Sequence, residues 1–96
     1  MPVYLDTARN RFRRMIMCHM IADTLDELHA MAERIGMRRE WFQPRSFPHY
    51  DVCLTRRAVA IKHGATVLER RDFVAAMQRI RAAGGTRDDS NPGTFR

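Results

Sequence analysis

Met15-Ile16-Met17-Cys18-His19-Met20-Ile21-Ala22-Asp23-Thr24-Leu25-Asp26-Glu27-Leu28-His29, residues 15–29, holds the transition on which the fold turns. Residues 15–21 are apolar at nearly every position, the pattern of a central strand covered on both faces. Alternation puts Met15, Met17, His19 and Ile21 on one face, with Ile16, Cys18 and Met20 on the other. The period then changes. Thr24 and Glu27, three residues apart, read as a capping box, and Asp23 and Asp26 place negative charge at the start of a helix. Leu25, Leu28, Ala32 and Ile35 form one apolar stripe, widened by Met31 and stopped by Gly36, with His29 beside it. A buried strand running straight into an amphipathic helix is the building unit of an α/β domain.

Working outward, Val3-Tyr4-Leu5 reads as a short strand ending at Asp6. Residues 9–14, with Arg9, Arg11, Arg13 and Arg14, read as a basic turn. Residues 37–50 form a connection holding Trp41, Phe42 and two prolines, Pro44 and Pro48. Connections of this length are often functional, because structureless backbone is costly to order. Residues 52–54 make a further short strand, and Thr55 is the expected cap of a helix over 56–63, stopped by Gly64. Residues 65–68 make another strand. Residues 71–83 make the last helix, with Phe73, Val74, Met77 and Ile80 inward. The expected fold is therefore α/β: a small mixed or partly parallel sheet of three to four strands with three helices. One domain spans 1–83, and residues 84–96 read as a flexible tail. Strand order stays open.

Ninety-six residues suffice for one modest core. Seventeen basic residues stand against eleven acidic, for a net charge of +6, and sixteen of the basic residues are arginine. Such a charge attracts polyanions, and arginine grips phosphate in a planar fork that lysine lacks. No run approaches the ~18 apolar residues of a membrane span, and the first residues lack the pattern of a signal peptide. A cytoplasmic protein with no membrane partner is expected, and self-association stays open. Cys18 and Cys53 have no metal-ligand spacing and read as buried free thiols.

No P-loop and no Gly-x-Gly-x-x-Gly is present, so no cofactor is assigned. His19, His29 and His49 lack any chelating pair spacing, so no metal is assigned either, although they could converge in space with Asp6 or Asp51. His49-Tyr50-Asp51 packs a base, a hydroxyl and an acid into three residues, and extended backbone would put His49 and Asp51 on one face with Tyr50 opposite. Arg56 and Arg57 occupy the first turn of a helix, where backbone N–H groups already favour anions. Trp41 and Tyr50 could stack on a base. The arginines of residues 9–14, with Phe12 interleaved, could track a nucleic-acid backbone.

Val-Tyr-Leu-Asp (3–6), Met-Cys-His-Met-Ile-Ala-Asp (17–23), Glu-Leu-His-Ala-Met-Ala (27–32), Trp-Phe (41–42) and His-Tyr-Asp (49–51) resemble the family called domain of unknown function 4031. Arg57, Ala58, Ala60 and Gly64-Ala65 extend the resemblance, which covers roughly residues 3 to 70. It implies a bacterial or bacteriophage protein and transfers no catalytic role. It directs attention to Asp6, His19, His29, Trp41, His49 and Asp51.

The sequence points first to a basic module that binds a phosphate-bearing small molecule, a nucleotide being the best match. Its ligand-binding residues would be His19, Trp41, His49, Tyr50, Asp51, Arg56 and Arg57. A phage protein that sequesters a nucleotide signal would fit. Two alternatives differ in class: a metal-assisted hydrolase using His19, His29 and His49 with Asp6 or Asp51, and a nucleic-acid- or host-protein-binding module using its arginine surface. Whether the protein is an enzyme stays open at this level.

Overall fold

An eight-residue strand, Met15–Ala22, is the spine of the sheet in a computed structural model that describes residues 2–86. In chain order the strands are β1 (Val3–Leu5), β2 (Asn10–Phe12), the spine β3, β4 (Tyr50–Cys53) and β5 (Thr66–Val67). The helices are α1 (Leu25–Arg34), α2 (Leu54–Lys62) and α3 (Arg70–Ala82), with one 3-10 turn at Arg39–Trp41.

The register fixes the layout. Met17 lies opposite both Asn10 of β2 and Cys53 of β4, and Met20 lies opposite both Leu5 of β1 and Tyr50 of β4. A strand has only two edges, so β1 and β2 share one edge of β3, end to end, and β4 takes the other. β5 adds to β1 in parallel, while the pairs made by β3 are antiparallel. The fold is α/β with a mixed sheet. It has one strand more than the sequence implies, because residues 10–12 pair with β3 instead of forming a basic turn. All three are exposed, so no hydrophobic alternation marks them. A tight turn at Arg13 and Arg14, with Arg13 at φ 56°, holds them in place.

Alternation along the strands feeds two cores. Val3, Leu5, Cys18, Met20, Tyr50 and Val52 pack under α1 and α2, against Leu28, Met31, Ala32 and Ala60. Ile21, with Tyr4 partly buried beside it, packs under α3 against Phe73, Ala76 and Ile80. The result is a helix–sheet–helix sandwich.

The capping box at α1 forms as the sequence implies: the Glu27 N–H donates to the Thr24 hydroxyl oxygen at 3.2 Å, and that hydroxyl donates to the Glu27 carboxylate at 2.9 Å. Thr55, in contrast, is not the cap of α2. The helix starts at Leu54, capped by the extended backbone of Cys53 with no side-chain hydrogen bond, because β4 runs into it without a loop. Val74, expected inward on α3, is exposed, and Ala76 takes the buried position.

At the end of α3, Gly84 has φ 82° and the Gly85 N–H donates to the Ile80 carbonyl at 2.9 Å. A Cβ at Gly85 would stand 2.1 Å from the Asp23 carbonyl oxygen. Residues 84–86 thus form a turn packed against the end of β3, and the rest of the expected tail lies outside the described residues. No helix among the described residues is long and apolar enough to cross a membrane.

Candidate metal centre

β1 breaks off at Asp6, and that break builds the site. The Asp6 N–H still donates to the His19 carbonyl at 3.1 Å, as in a regular ladder. The return bond is different: the His19 N–H donates to the Asp6 side chain, Oδ1, at 2.9 Å. The same oxygen accepts the Ala8 N–H at 3.3 Å, and the displaced Asp6 carbonyl accepts from Arg57 at 3.4 Å. A bulge of this kind, with a side chain standing in for a main-chain acceptor, lets the edge resume as β2.

Asp6 Oδ2 lies 2.7 Å from His19 Nδ1. An ionised carboxylate only accepts, so Nδ1 carries the proton and the lone pair of the neutral ring sits on Nε2. His49 is held the same way from another element. Its Nδ1 donates to the Phe47 carbonyl at 2.7 Å, again leaving Nε2 as the acceptor. Phe47 is anchored in the core under α3, and mutual main-chain bonds between Gln43 and His49 at 2.9 and 3.0 Å close the loop that carries it. Asp51 faces His19 directly across the β3–β4 pair. Its Oδ2 accepts from Gln43 Nε2 at 2.8 Å, and its Oδ1 turns to the histidines, 3.5 Å from His49 Nε2 and 3.9 Å from His19 Nε2.

His19, His49 and Asp51 each offer one ligand atom, all within 4.8 Å of one another. A transition metal bound at ~2.0–2.2 Å to each would hold neighbouring ligand atoms ~3–3.5 Å apart, close to the two separations Asp51 Oδ1 already makes, 3.5 Å to His49 and 3.9 Å to His19. Each ligand is tied from behind, by Asp6, the Phe47 carbonyl or Gln43, as metal ligands usually are. His19 and His49 border a cleft of about 510 Å³ that runs past Phe73, Val74 and Met77 of α3 to Arg70. Asp51 borders a second hollow, about 610 Å³, walled by Phe12, Met15, Met17, Trp41 and Arg56.

The other sequence-assigned residues go elsewhere. Tyr50, read as a stacking residue, is fully buried, and its hydroxyl lies 2.7 Å from His29 Nδ1. His29 therefore does not join His19 and His49; it packs on the opposite side of the sheet, edge-on to Phe42 with ring centroids 4.6 Å apart. Strand parity explains both corrections, since Tyr50 and Val52 point under α1 and α2 while His49 and Asp51 point away. Arg56 and Arg57 part company. Arg56 donates to the Ile35 carbonyl at 3.1 Å, at the end of α1, and its guanidinium lies over Trp41, 5.9 Å from the ring centroid. Arg57 is spent on the Asp6 carbonyl. Cys18 is buried, and burial pushes its thiol up to about 11, so it stays protonated and unreactive.

Sequence spacing did not bring this group together because His19 lies on β3, far in sequence from His49 and Asp51, and no His-x-His or Glu-x-x-His pair is present. Gln43 and the Phe47 carbonyl were missed altogether; neither a lone glutamine nor a backbone carbonyl carries a sequence signal.

Fold and site together define a small α/β domain in which two histidines border one cleft and the Asp51 carboxylate beside them borders a second hollow. The chain belongs to the family described as "Protein of unknown function (DUF4031)", which matches residues 3–80. No curated protein and no solved structure matches it.

Proposed function

We propose that the protein is a metal-dependent hydrolase whose cation is held by His19 Nε2, His49 Nε2 and Asp51 Oδ1. The observation that carries this reading is the convergence of His19 Nε2, His49 Nε2 and Asp51 Oδ1, each residue fixed from behind by a partner of its own. A divalent cation in their midst would be bound by all three atoms at once. Nitrogen and carboxylate donors in this mixture suit zinc, manganese, iron, cobalt or nickel.

Three protein ligands leave coordination positions for water and substrate. A divalent cation held there would supply Lewis-acid chemistry, lowering the pKa of a bound water towards neutrality and polarising the bond to be cleaved. The protein's own residues supply the rest. Asp6 and the Phe47 carbonyl hold the imidazoles in the ligating tautomer, Gln43 keeps one carboxylate oxygen of Asp51 turned away, and the cleft receives the substrate. Arg56 and Arg57 holding one phosphate between them has less support, because each guanidinium is engaged at a different place.

Calorimetric titration of untagged protein with Zn2+, Mn2+, Ni2+ and Fe2+ under anaerobic conditions tests the centre. One ion per chain is expected for wild type, with affinity lost by more than about 100-fold in His19→Ala, His49→Ala and Asp51→Ala. Equal affinity in wild type and the three variants would remove the centre.

A further inference from the structure

The ligand trio is shared between two hollows. His19 and His49 border the cleft under α3, whereas Asp51 borders the hollow on the far side, so a cation held by all three stands on the saddle between them. Hollows of about 510 and 610 Å³ are each large enough for a small organic group. Both have apolar and aromatic walls, Phe47, Phe73 and Met77 in the first and Met15, Met17 and Trp41 in the second, and each has one arginine and one aspartate at its border. In the first cleft the arginine is Arg70, at the exposed start of α3. In the second it is Arg56, stacked on the half-exposed Trp41.

Resting on the hydrolytic reading above, we propose that the substrate is a nucleotide phosphodiester whose two arms occupy the two hollows, with its phosphorus on the saddle. A monoester would fill one hollow and leave the other unused. A diester places an apolar, planar group on each side of a single negative charge, and the two arginines, with the overall charge of +6, suit that anion. Trp41 offers an exposed ring on which a base stacks. The step balances without any further reactant. Water adds to phosphorus, the P–O bond to one arm breaks, the departing oxygen takes up one proton of that water, and the products are an alcohol and a phosphomonoester.

The test uses the full chain loaded with the ion that binds best. A thymidine dinucleotide, thymidine monophosphate and p-nitrophenyl acetate are offered separately, and products are followed by chromatography or absorbance. Cleavage of the dinucleotide, with the monophosphate untouched, is expected. Trp41→Ala and Arg70→Glu, both at exposed positions, should each raise KM for the dinucleotide about tenfold while the metal still binds one per chain. Cleavage of the acetate but not the dinucleotide would overturn the diester and leave the hydrolase standing. Cleavage of neither by metal-loaded protein would sink the hydrolytic reading and the diester with it. A KM that moves with only one of the two variants would also overturn a substrate spanning both hollows.

Discussion

Asp6 carries three hydrogen bonds on one buried carboxylate: to the His19 backbone, to the His19 ring and to the Ala8 N–H. Replacing it by asparagine keeps the size and the Oδ1 acceptor but sets an N–H2 donor against His19 Nδ1. The ring then prefers the tautomer with its proton on Nε2, the atom proposed to bind the metal. Asp6→Asn is therefore expected to weaken metal affinity about 10–100-fold, as loss of such a supporting partner usually does. The strand break should survive, because Oδ1 can still accept both backbone N–H groups. Calorimetry beside circular dichroism separates the two effects; a loss of fold in step with affinity would show that Asp6 acts only as a structural residue. Part of this site is legible in the residues themselves. Alternation places His49 and Asp51 on one face with Tyr50 opposite, and His19 on the face away from Cys18. The pairing of His19 with Asp51 is not legible, because it depends on the register of two strands far apart in sequence.

The long elements are readable from their own chemistry: β3 from its apolar run, and α1 from its cap, its stripe and Gly36, which takes φ 83°. The misread boundaries have physical causes. Leu54 begins α2 because the β4 ladder ends there, so a tertiary pairing outweighs the capping preference of Thr55. β2 borrows its order from β3, and its exposed arginines conceal it. Which face of the sheet α1 covers is a matter of the strand crossings, and for that reason His29 could not be separated from His19 and His49 beforehand. The turn after α3 gives an element-scale prediction. Gly85→Ala would drive a Cβ into the Asp23 carbonyl, a backbone atom that cannot swing aside. Overpacking of this kind costs about 1–3 kcal/mol, so thermal melting should fall by roughly 5–20 °C in a domain of this size. An unchanged melting temperature would mean that the end of α3 does not dock on β3 in solution.

For the molecule as a whole, the centre joins parts that folding must bring together. A cation that binds only the native state, supplied at about 100 times its dissociation constant, stabilises the fold by ~2.7 kcal/mol. The melting temperature should then rise by about 10 °C or more, and the rise should vanish in His49→Ala; an equal rise in that variant would place the stabilising ion elsewhere. The register between β3 and β4 has a consequence of another kind. His19 and Asp51 meet across an excursion of the chain that holds α1 and the connection through Trp41 before β4 lies along the free edge of β3. Closing so long an excursion is slow compared with forming a helix, since the entropy is lost before any contact repays it. Capture of the proposed cation would consequently be a clock for that single event. In a stopped-flow refolding run, Trp41 fluorescence and ion uptake would time two different moments, and the lag before uptake would measure how long β3 waits for β4.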